Sequence, residues 1–328
     1  MRHKRDESMI VVTRYTDEQS TLWNGFNAQS KNGLFMFDRN YMDYHRDRFR
    51  DHSLLFYADG ELIALLPACE RDHSLLSHGG LTYGGLITGE KMKQHTMNDC
   101  FDALLRYAAE QDFREIIYKT VPHIYHLQPA EEDRYALYAH GASLITVDAS
   151  TVVNLSAPLK MPKGRKAQIS RARREGVEIR VLTDLSDFEA FIDLENAVLE
   201  QRHHTRAVHT AAELKLLRDR FPENIRLYGA LREGRLIAGT VVYVYPRAIH
   251  TQYMAANEEA RTLGALDLAV ATVLAEYGAS KQWADFGIST EHGRVYLNEG
   301  LIAQKEGFGG RTNTYDIWKL VIHSPGVS

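Results

Sequence analysis

Residues 54–68 read LLFYADGELIALLPA, and residues 225–245 read IRLYGALREGRLIAGTVVYVY. Each is an apolar run, a short turn and a second apolar run. Asp59-Gly60 and Glu233-Gly234 stand at the turns, followed by ELIA in one copy and RLIA in the other. An acidic residue before glycine between apolar runs predicts a hairpin, because glycine accepts the positive φ that the turn requires.

Outward from each hairpin the order of elements repeats. A further extended stretch comes first, then a helix, then a strand. In the first half the helix is TMNDCFDALLRYAAEQ (96–111) and the strand EIIYKTV (115–121). In the second half they are GALDLAVATVLAEYGA (264–279) and QWADFGIS (282–289). Phe101, Leu104, Leu105 and Ala108 recur at helical spacing on the first helix. The second helix is apolar nearly all round, as a helix buried against a sheet is. The repeated order predicts a duplication into two domains, 1–155 and 156–328. The boundary falls near NLSAPLKMPKG (154–164), where two prolines and a glycine interrupt regular structure. A hairpin followed by a strand–helix–strand crossover predicts an α/β (α+β) architecture, a mixed sheet with helices on its faces.

The bulk numbers agree with this plan. A chain of 328 residues suits two domains of ordinary size. A net charge of -4 provides no overall attraction to DNA or to an anionic membrane, so a polyanion would need a local basic patch. Cys69 and Cys100 have neither metal nor redox spacing and read as buried thiols, which fits a reducing, cytoplasmic setting. The N-terminus is basic but no apolar segment of a signal peptide follows it. No apolar run approaches the ~20 residues that a membrane span needs.

Five stretches carry candidate chemistry. The glycine-rich segment FGISTEHGRVYLNEGLIAQKEGFGGR (286–311) follows a strand expected to end at Asp285. Over its whole length it reads as neither helix nor strand, and its glycines let the backbone turn and approach a ligand. Ligands in such sheets sit beyond strand C-terminal ends. Lys305 then offers a cation to a phosphate or to the oxyanion of acyl transfer, with Glu291 near it in sequence. A solvated lysine on a surface loop is the alternative. Upstream, Lys160, Lys163, Arg165, Lys166, Arg171, Arg173 and Arg174 occur with no acidic residue among them. Such a helix suits phosphates, whether of a diphosphate, CoA or a tRNA backbone. A solvated helix face is the other reading. His203, His204 and His209 cluster in HHTRAVHT. Amine acylation needs an uncharged amine, and histidine accepts protons near neutral pH. No metal is expected, since neither cysteine partners nor an HExxH helix accompanies these histidines. In SHGGLTYGGL (77–86), glycine pairs flank Tyr83 behind His78, so the ring can stack on a base or sugar, or the segment is a tight bend. Strand alternation in HTQYMAAN (250–257) places His250, Gln252 and Met254 on one face and Thr251, Tyr253 and Ala255 on the other, one face being core.

Taken in order, SHGGLTYGGL, GRKAQISRARREGV, HHTRAVHTAAEL, HTQYMAAN and DFGISTEHG with LNEGLIAQKEGFGG resemble the FemAB-like double-domain branch of the Gcn5-related N-acetyltransferase (GNAT) superfamily, sugar N-acyltransferases in particular. The resemblance covers nearly the whole chain. It implies two tandem GNAT-like domains and acyl transfer to an amine. QKEGFGG matches the lysine-phenylalanine-glycine element of the family's functional loop, which favours a working Lys305. The catalytic residues expected on this basis are Lys305, His204, His209 and Asp285. Substrate binding is expected of His78, Tyr83, Arg165, Gln252, Tyr253 and Glu291. RTLGAL (261–266) supplies Arg261 and Gly264 of the CoA pyrophosphate turn, Q/R-x-x-G-x-G/A, but has Leu266 in the last small position. Lys166 and Arg171 are expected to add phosphate contacts. The activity implied is transfer from acyl-CoA, as cosubstrate, to the amine of a nucleotide-linked amino sugar in surface polysaccharide biosynthesis. One alternative is a FemAB-type aminoacyltransferase using aminoacyl-tRNA on a peptidoglycan precursor, which calls for a broader basic surface. Another is a catalytically silent carbohydrate-binding relative. The partners expected are small molecules, and a homo-oligomer is compatible with all three.

Overall fold

The computed structural model of the chain describes residues 9–203, 205–291 and 295–323; the basic residues 1–8 and His204 lie outside them. Two compact units are present, Met1–Val147 with Tyr315–Ser328, and Asp148–Thr314. The sequence reading divides the chain at 155/156, whereas these units divide inside two strands.

Among the described residues, the first unit runs β1 (Ile10–Arg14), α1 (Ser20–Gln29), α2 (Arg39–Met42), β2 (Arg50–Asp51), β3 (Leu54–Ala58), β4 (Glu61–Leu66), β5 (Cys69–Arg71), β6 (Ser74–Leu76), β7 (Ile87–Thr88), α3 (Gln94–Glu110), β8 (Glu115–Lys119) and α4 (Glu132–Ala139). The predicted hairpin is β3–β4, turning on Asp59 (φ 50°) and Gly60 (φ 80°). Strands β1, β3, β4 and β7 lie side by side in that order. The apolar stripe of α3, with Met97, Phe101, Leu104 and Ala108, packs on Leu54, Phe56 and Leu66.

The second unit opens on β9 (Ser143–Asn154), which begins in the first. It continues through α5 (Lys163–Arg174), β10 (Glu178–Leu182), α6 (Leu185–His203), α7 (Ala211–Arg220), β11 (Ile225–Arg232), β12 (Arg235–Val244), β13 (Ala248–Ala256), α8 (Glu258–Leu263), α9 (Ala265–Tyr277), β14 (Trp283–Ile288), β15 (Thr290–Glu291), β16 (Tyr296–Leu297) and α10 (Glu299–Glu306). The final strand, β17 (Arg311–Val321), returns to the first unit. The second hairpin is β11–β12, turning on Glu233 (φ 51°) and Gly234 (φ 77°). The sheet order is β10-β11-β12-β13-β14-β9, antiparallel except for β13 beside β14. One face is covered by α9, whose Val270, Val273 and Leu274 pack on Val242, Ile249, Ala284 and Phe286. Each aliphatic side chain buried this way contributes about 1.5–3 kcal/mol. The other face carries α6, and the Phe191 ring lies 2.9 Å from where a Cβ on Gly239 would stand. Only glycine lets that ring approach the strand so closely.

Two irregularities in this sheet position the candidate site. First, β13 and β14 pair only from Ala248–Trp283 to His250–Asp285, although β13 continues to Ala256. The parallel strands part just beyond that last pair. Second, both strands bulge there. Thr251 faces Val242 and Tyr253 faces Val241, so Gln252 is the extra residue on β13. On the other side, Asp285 faces Val152 and Ile288 faces Ser150, which leaves Phe286 and Gly287 opposite Thr151 alone. Gly287 takes φ 72° there, a conformation that glycine adopts without a Cβ penalty.

The bulge at Gln252 corrects the simple alternation expected from the sequence. Residues directly opposite in an antiparallel pair share a face. His250 is opposite Tyr243 and Tyr253 is opposite Val241, and those two partners lie two apart on β12. His250 and Tyr253 therefore point to the same side, away from α9. Without the bulge they would point apart. The glycine-rich stretch 286–311 is also more regular than its composition suggests. Asn298 caps α10 by accepting from Leu301 N at 2.9 Å, and Lys305 stands in the last turn of that helix.

Candidate active site

Asp285 is fully buried inside β14, which runs on to Ile288 rather than ending at Asp285, and it stands at the last pair that β14 shares with β13. Its Oδ1 accepts from Ser150 Oγ at 2.6 Å and from Gly287 N at 2.9 Å, and its Oδ2 lies 3.0 Å from His250 Nδ1. These bonds offset the desolvation of a buried carboxylate. A carboxylate accepts from Nδ1–H, which leaves His250 Nε2 as the proton-accepting nitrogen. A Cβ on Gly287 would meet His250 Cε1 at 3.3 Å, so the bulge glycine also makes room for the ring.

Lys305 is 4% exposed, and its Nζ donates to Gly287 O at 2.9 Å and Ile288 O at 2.6 Å. The bulge takes these carbonyls out of the regular ladder, and the lysine satisfies them. Burial lowers the Lys305 pKa to about 8, while the Asp285 charge pulls it back up. Helix α10 is held by Arg165. One arm of its guanidinium pairs with Asp267 of α9, the other donates to Gln304 O at 2.9 Å, and the group lies 4.3 Å above the Phe308 ring. The phenylalanine of the lysine-phenylalanine-glycine element is thus a platform for Arg165, a residue expected from the sequence to meet substrate.

A second cluster lies on the same face, nearer the free end of β13. The Tyr253 hydroxyl is 2.6 Å from His209 Nδ1, and His209 is buried. Burial pushes the Tyr253 hydroxyl up to about 12, with the Glu195 charge adding to the effect. Glu195, on α6, is 7% exposed, and burial raises its carboxyl to about 7. Leucine at that position would gain about 1.5–3 kcal/mol by burial, whereas a buried carboxyl oxygen without a partner, as Oε2 is among the described residues, costs at least as much. The sequence reading passed over Glu195. The signal that finds it is helical spacing: Phe188, Phe191 and Ile192 set a buried stripe, and position 195 continues it.

The remaining expected residues are placed as follows. Glu291 accepts from Asn298 Nδ2 at 2.8 Å, beside the cap of α10. Lys166 and Arg261 are exposed. Arg171 donates to Thr262 O at 3.0 Å, and a Cβ on Gly264, at φ 78°, would stand 2.7 Å from Gln168 O. Helix α5 therefore lies directly on the turn that the resemblance assigns to CoA pyrophosphate. His78 and Tyr83 belong to the first unit. Tyr83 is 1% exposed, with its hydroxyl 2.7 Å from that of Tyr125 and 3.0 Å from that of Tyr315. His78 is buried, and burial lowers its pKa to about 3, so it is a neutral ring stacked on His45. Both residues are packed among rings, His78 beside His45 and Phe49, and Tyr83 beside Tyr125 and Tyr315. His204 lies outside the described residues. Among those residues no group of three or more histidines, cysteines or carboxylates is arranged to hold a metal ion, and no helix is long and apolar enough to cross a membrane.

Residues 163–292 match the family model of the acetyltransferase (GNAT) domain. The fold of the whole chain is similar to that of FemX, at 10% identity over 93% of this chain and 96% of that one, with a TM-score of 0.66. It is also similar to the C-terminal domain of a provisionally named lysylphosphatidylglycerol synthetase from Agrobacterium fabrum (12% identity, 95% and 93% covered, TM-score 0.63). A tandem GNAT protein from the clavulanic acid biosynthesis pathway matches at 12% identity over 96% and 99%, with a TM-score of 0.54. No curated protein matches the chain. Residues 163–292 thus resemble a GNAT acetyltransferase domain, and the fold of the chain as a whole is like that of FemX and of the tandem GNAT protein.

Proposed function

We propose that the protein is an N-acyltransferase that moves an acyl group from acyl-CoA to the amine of a nucleotide-linked amino sugar. The observation that carries this reading is the parting of β13 and β14 just past the His250–Asp285 pair, inside the GNAT domain. Past that point each strand turns an edge toward the other without a shared ladder. An extended donor arm, such as the pantetheine of CoA, can lie there as an added strand and bring its thioester to the bulges. Lys305 then supplies positive charge to the oxyanion on the acyl carbonyl. His250 Nε2 faces the same side, with Asp285 holding its tautomer. Gln252 and Tyr253 meet the acceptor, and donor phosphates lie against Lys166 and Arg261, both at the surface.

A second reading, transfer from aminoacyl-tRNA, is favoured by the packing of α5 on Gly264 and by the exposure of Lys163, Lys166, Arg173 and Arg174. A donor that does not use the pyrophosphate turn fits that packing, and an exposed basic helix fits a phosphate backbone. The test supplies both donors. Thiol release from acyl-CoA that depends on an added amino-sugar nucleotide supports the first reading. Label transfer from charged tRNA, without thiol release from any thioester, replaces it with the second. Binding of sugar nucleotides without transfer from either donor would leave a carbohydrate-binding protein.

A further inference from the structure

The buried stripe of α6 faces β12 and β13, and Glu195 stands on it one turn beyond Phe191 and Ile192. Its Oε2 has no hydrogen-bond partner among the described residues. The same holds for Gln252 Oε1, on the bulge. Helix α6 packs on β13, and both side chains act on the Tyr253 hydroxyl, Glu195 through its charge and Gln252 through a hydrogen bond. Both orphaned atoms are acceptors, and buried acceptors are ordinarily satisfied. A ligand that fills them must bring hydrogen-bond donors, N–H or O–H, and beside a carboxylate a cationic donor gains most. An alkylammonium brings three of them and a positive charge; a phosphate or carboxylate brings further acceptors and the wrong sign.

We propose that Glu195, Gln252 and Tyr253 seat the acceptor amine, and that Glu195 takes a proton from it before attack on the acyl carbonyl. The assignment rests on the reading of the chain as an amine acyltransferase. One proton passes from the ammonium to the carboxylate, leaving a neutral amine and a neutral carboxyl group. The nitrogen lone pair forms the C–N bond at the carbonyl carbon, and the C–S bond of the thioester breaks. The surplus proton on nitrogen leaves with sulfur as thiol, and Glu195 returns its own proton to water. Burial makes this carboxyl a stronger proton acceptor than an exposed glutamate, with its pKa raised to about 7. The titratable groups facing it are Tyr253 and, farther along β13, His250; Tyr243 on β12; and His209 on the segment before α7. Helix α7 turns Leu214 and Leu217 inward, and its Lys215 pairs with Asp219 along its own length.

Two variants test this. Glu195→Gln keeps the shape and removes the proton acceptor; Glu195→Leu completes the apolar stripe. Both are expected to melt at or above the wild-type temperature at neutral pH, because each removes a buried carboxylate whose Oε2 has no partner among the described residues. A clear fall in both would mean that Glu195 has a structural partner and would overturn the proposal. In turnover, Glu195→Gln is expected to lose ~10²-fold in kcat/KM and the limb that rises through neutral pH. An unchanged limb would also overturn it. A third measurement needs no turnover: an amino-sugar nucleotide should raise the melting temperature more than its N-acetylated form does, and Glu195→Gln should erase that difference. If the wild-type protein does not distinguish the two, the amine seat is wrong. If it does distinguish them but transfers no acyl group from acyl-CoA or charged tRNA, the acyltransferase reading fails while the seat stands.

Discussion

His250 Nδ1 and Asp285 Oδ2 lie 3.0 Å apart at the last pair of the β13–β14 ladder. The two residues are thirty-five positions apart in the chain and meet only because the strands run in parallel register. The pair closes the sheet and opens the gap beyond it.

Asp285→Asn should weaken both the fold and the activity. The amide oxygen can still accept from Ser150 and Gly287 N, but the NH2 in place of Oδ2 cannot accept from His250 Nδ1–H, and a buried group left unsatisfied costs about 1–3 kcal/mol. His250→Gln should cost less stability and ~10²-fold in kcat/KM. Denaturant unfolding beside steady-state kinetics separates the two effects. A His250→Gln enzyme with wild-type kcat/KM would make the pair purely structural.

Lys305→Ala is expected to reduce kcat by ~10²–10³-fold, the range seen when one oxyanion donor is removed. Lys305→Met, of similar length, keeps most of the packing and should lose nearly as much. With its pKa lowered to about 8, the wild-type cation is present at neutral pH and is lost above it, so activity should fall on the alkaline side. Stability moves the other way. Between about 8 and the ordinary lysine value of 10.5, the unfolded chain holds the proton and the folded one does not, so this group's contribution rises with pH across that window. Melting curves across the window should be flatter in Lys305→Met than in the wild type.

Glu195 has the opposite linkage. Its folded pKa is raised to about 7 from 4.5, so between those values the folded state binds more protons and stability falls as pH rises. Glu195→Gln should remove that decline. With Lys305 on the alkaline side, the wild-type pH profile of kcat/KM should be a narrow bell centred between about 7 and 8.

Gly287→Ala should cost about 1–2 kcal/mol through its φ of 72° alone. The added methyl would also press on His250 Cε1 at 3.3 Å. Turnover should fall by more than the stability loss explains, because the Gly287 and Ile288 carbonyls that hold Lys305 would move. Calorimetry paired with kcat/KM is the check; normal kinetics in a destabilised protein would dissociate the bulge from the chemistry.

Much of this architecture was legible in the sequence because it is local. Asp59-Gly60 and Glu233-Gly234 announce their hairpins within four residues. The stripe of α3 and the all-round apolarity of α9 need only helical spacing. The short motifs that resemble GNAT proteins single out Lys305 and Asp285 as candidates, and both prove to be buried and hydrogen-bonded. What the chain does not display is register. The extra residue at Gln252 exists only when β13 is laid against β12, and it alone brings His250 and Tyr253 to one side. Arg165 reads as a phosphate binder until α9 supplies Asp267 across about a hundred residues of chain. Helix α5 covers Gly264 for the same long-range reason. Glu195 carries its spacing in the sequence, but its meaning comes from what surrounds it. Local conformational preference is written residue by residue, whereas desolvation and hydrogen-bond partnership depend on which distant strands and helices close over a group.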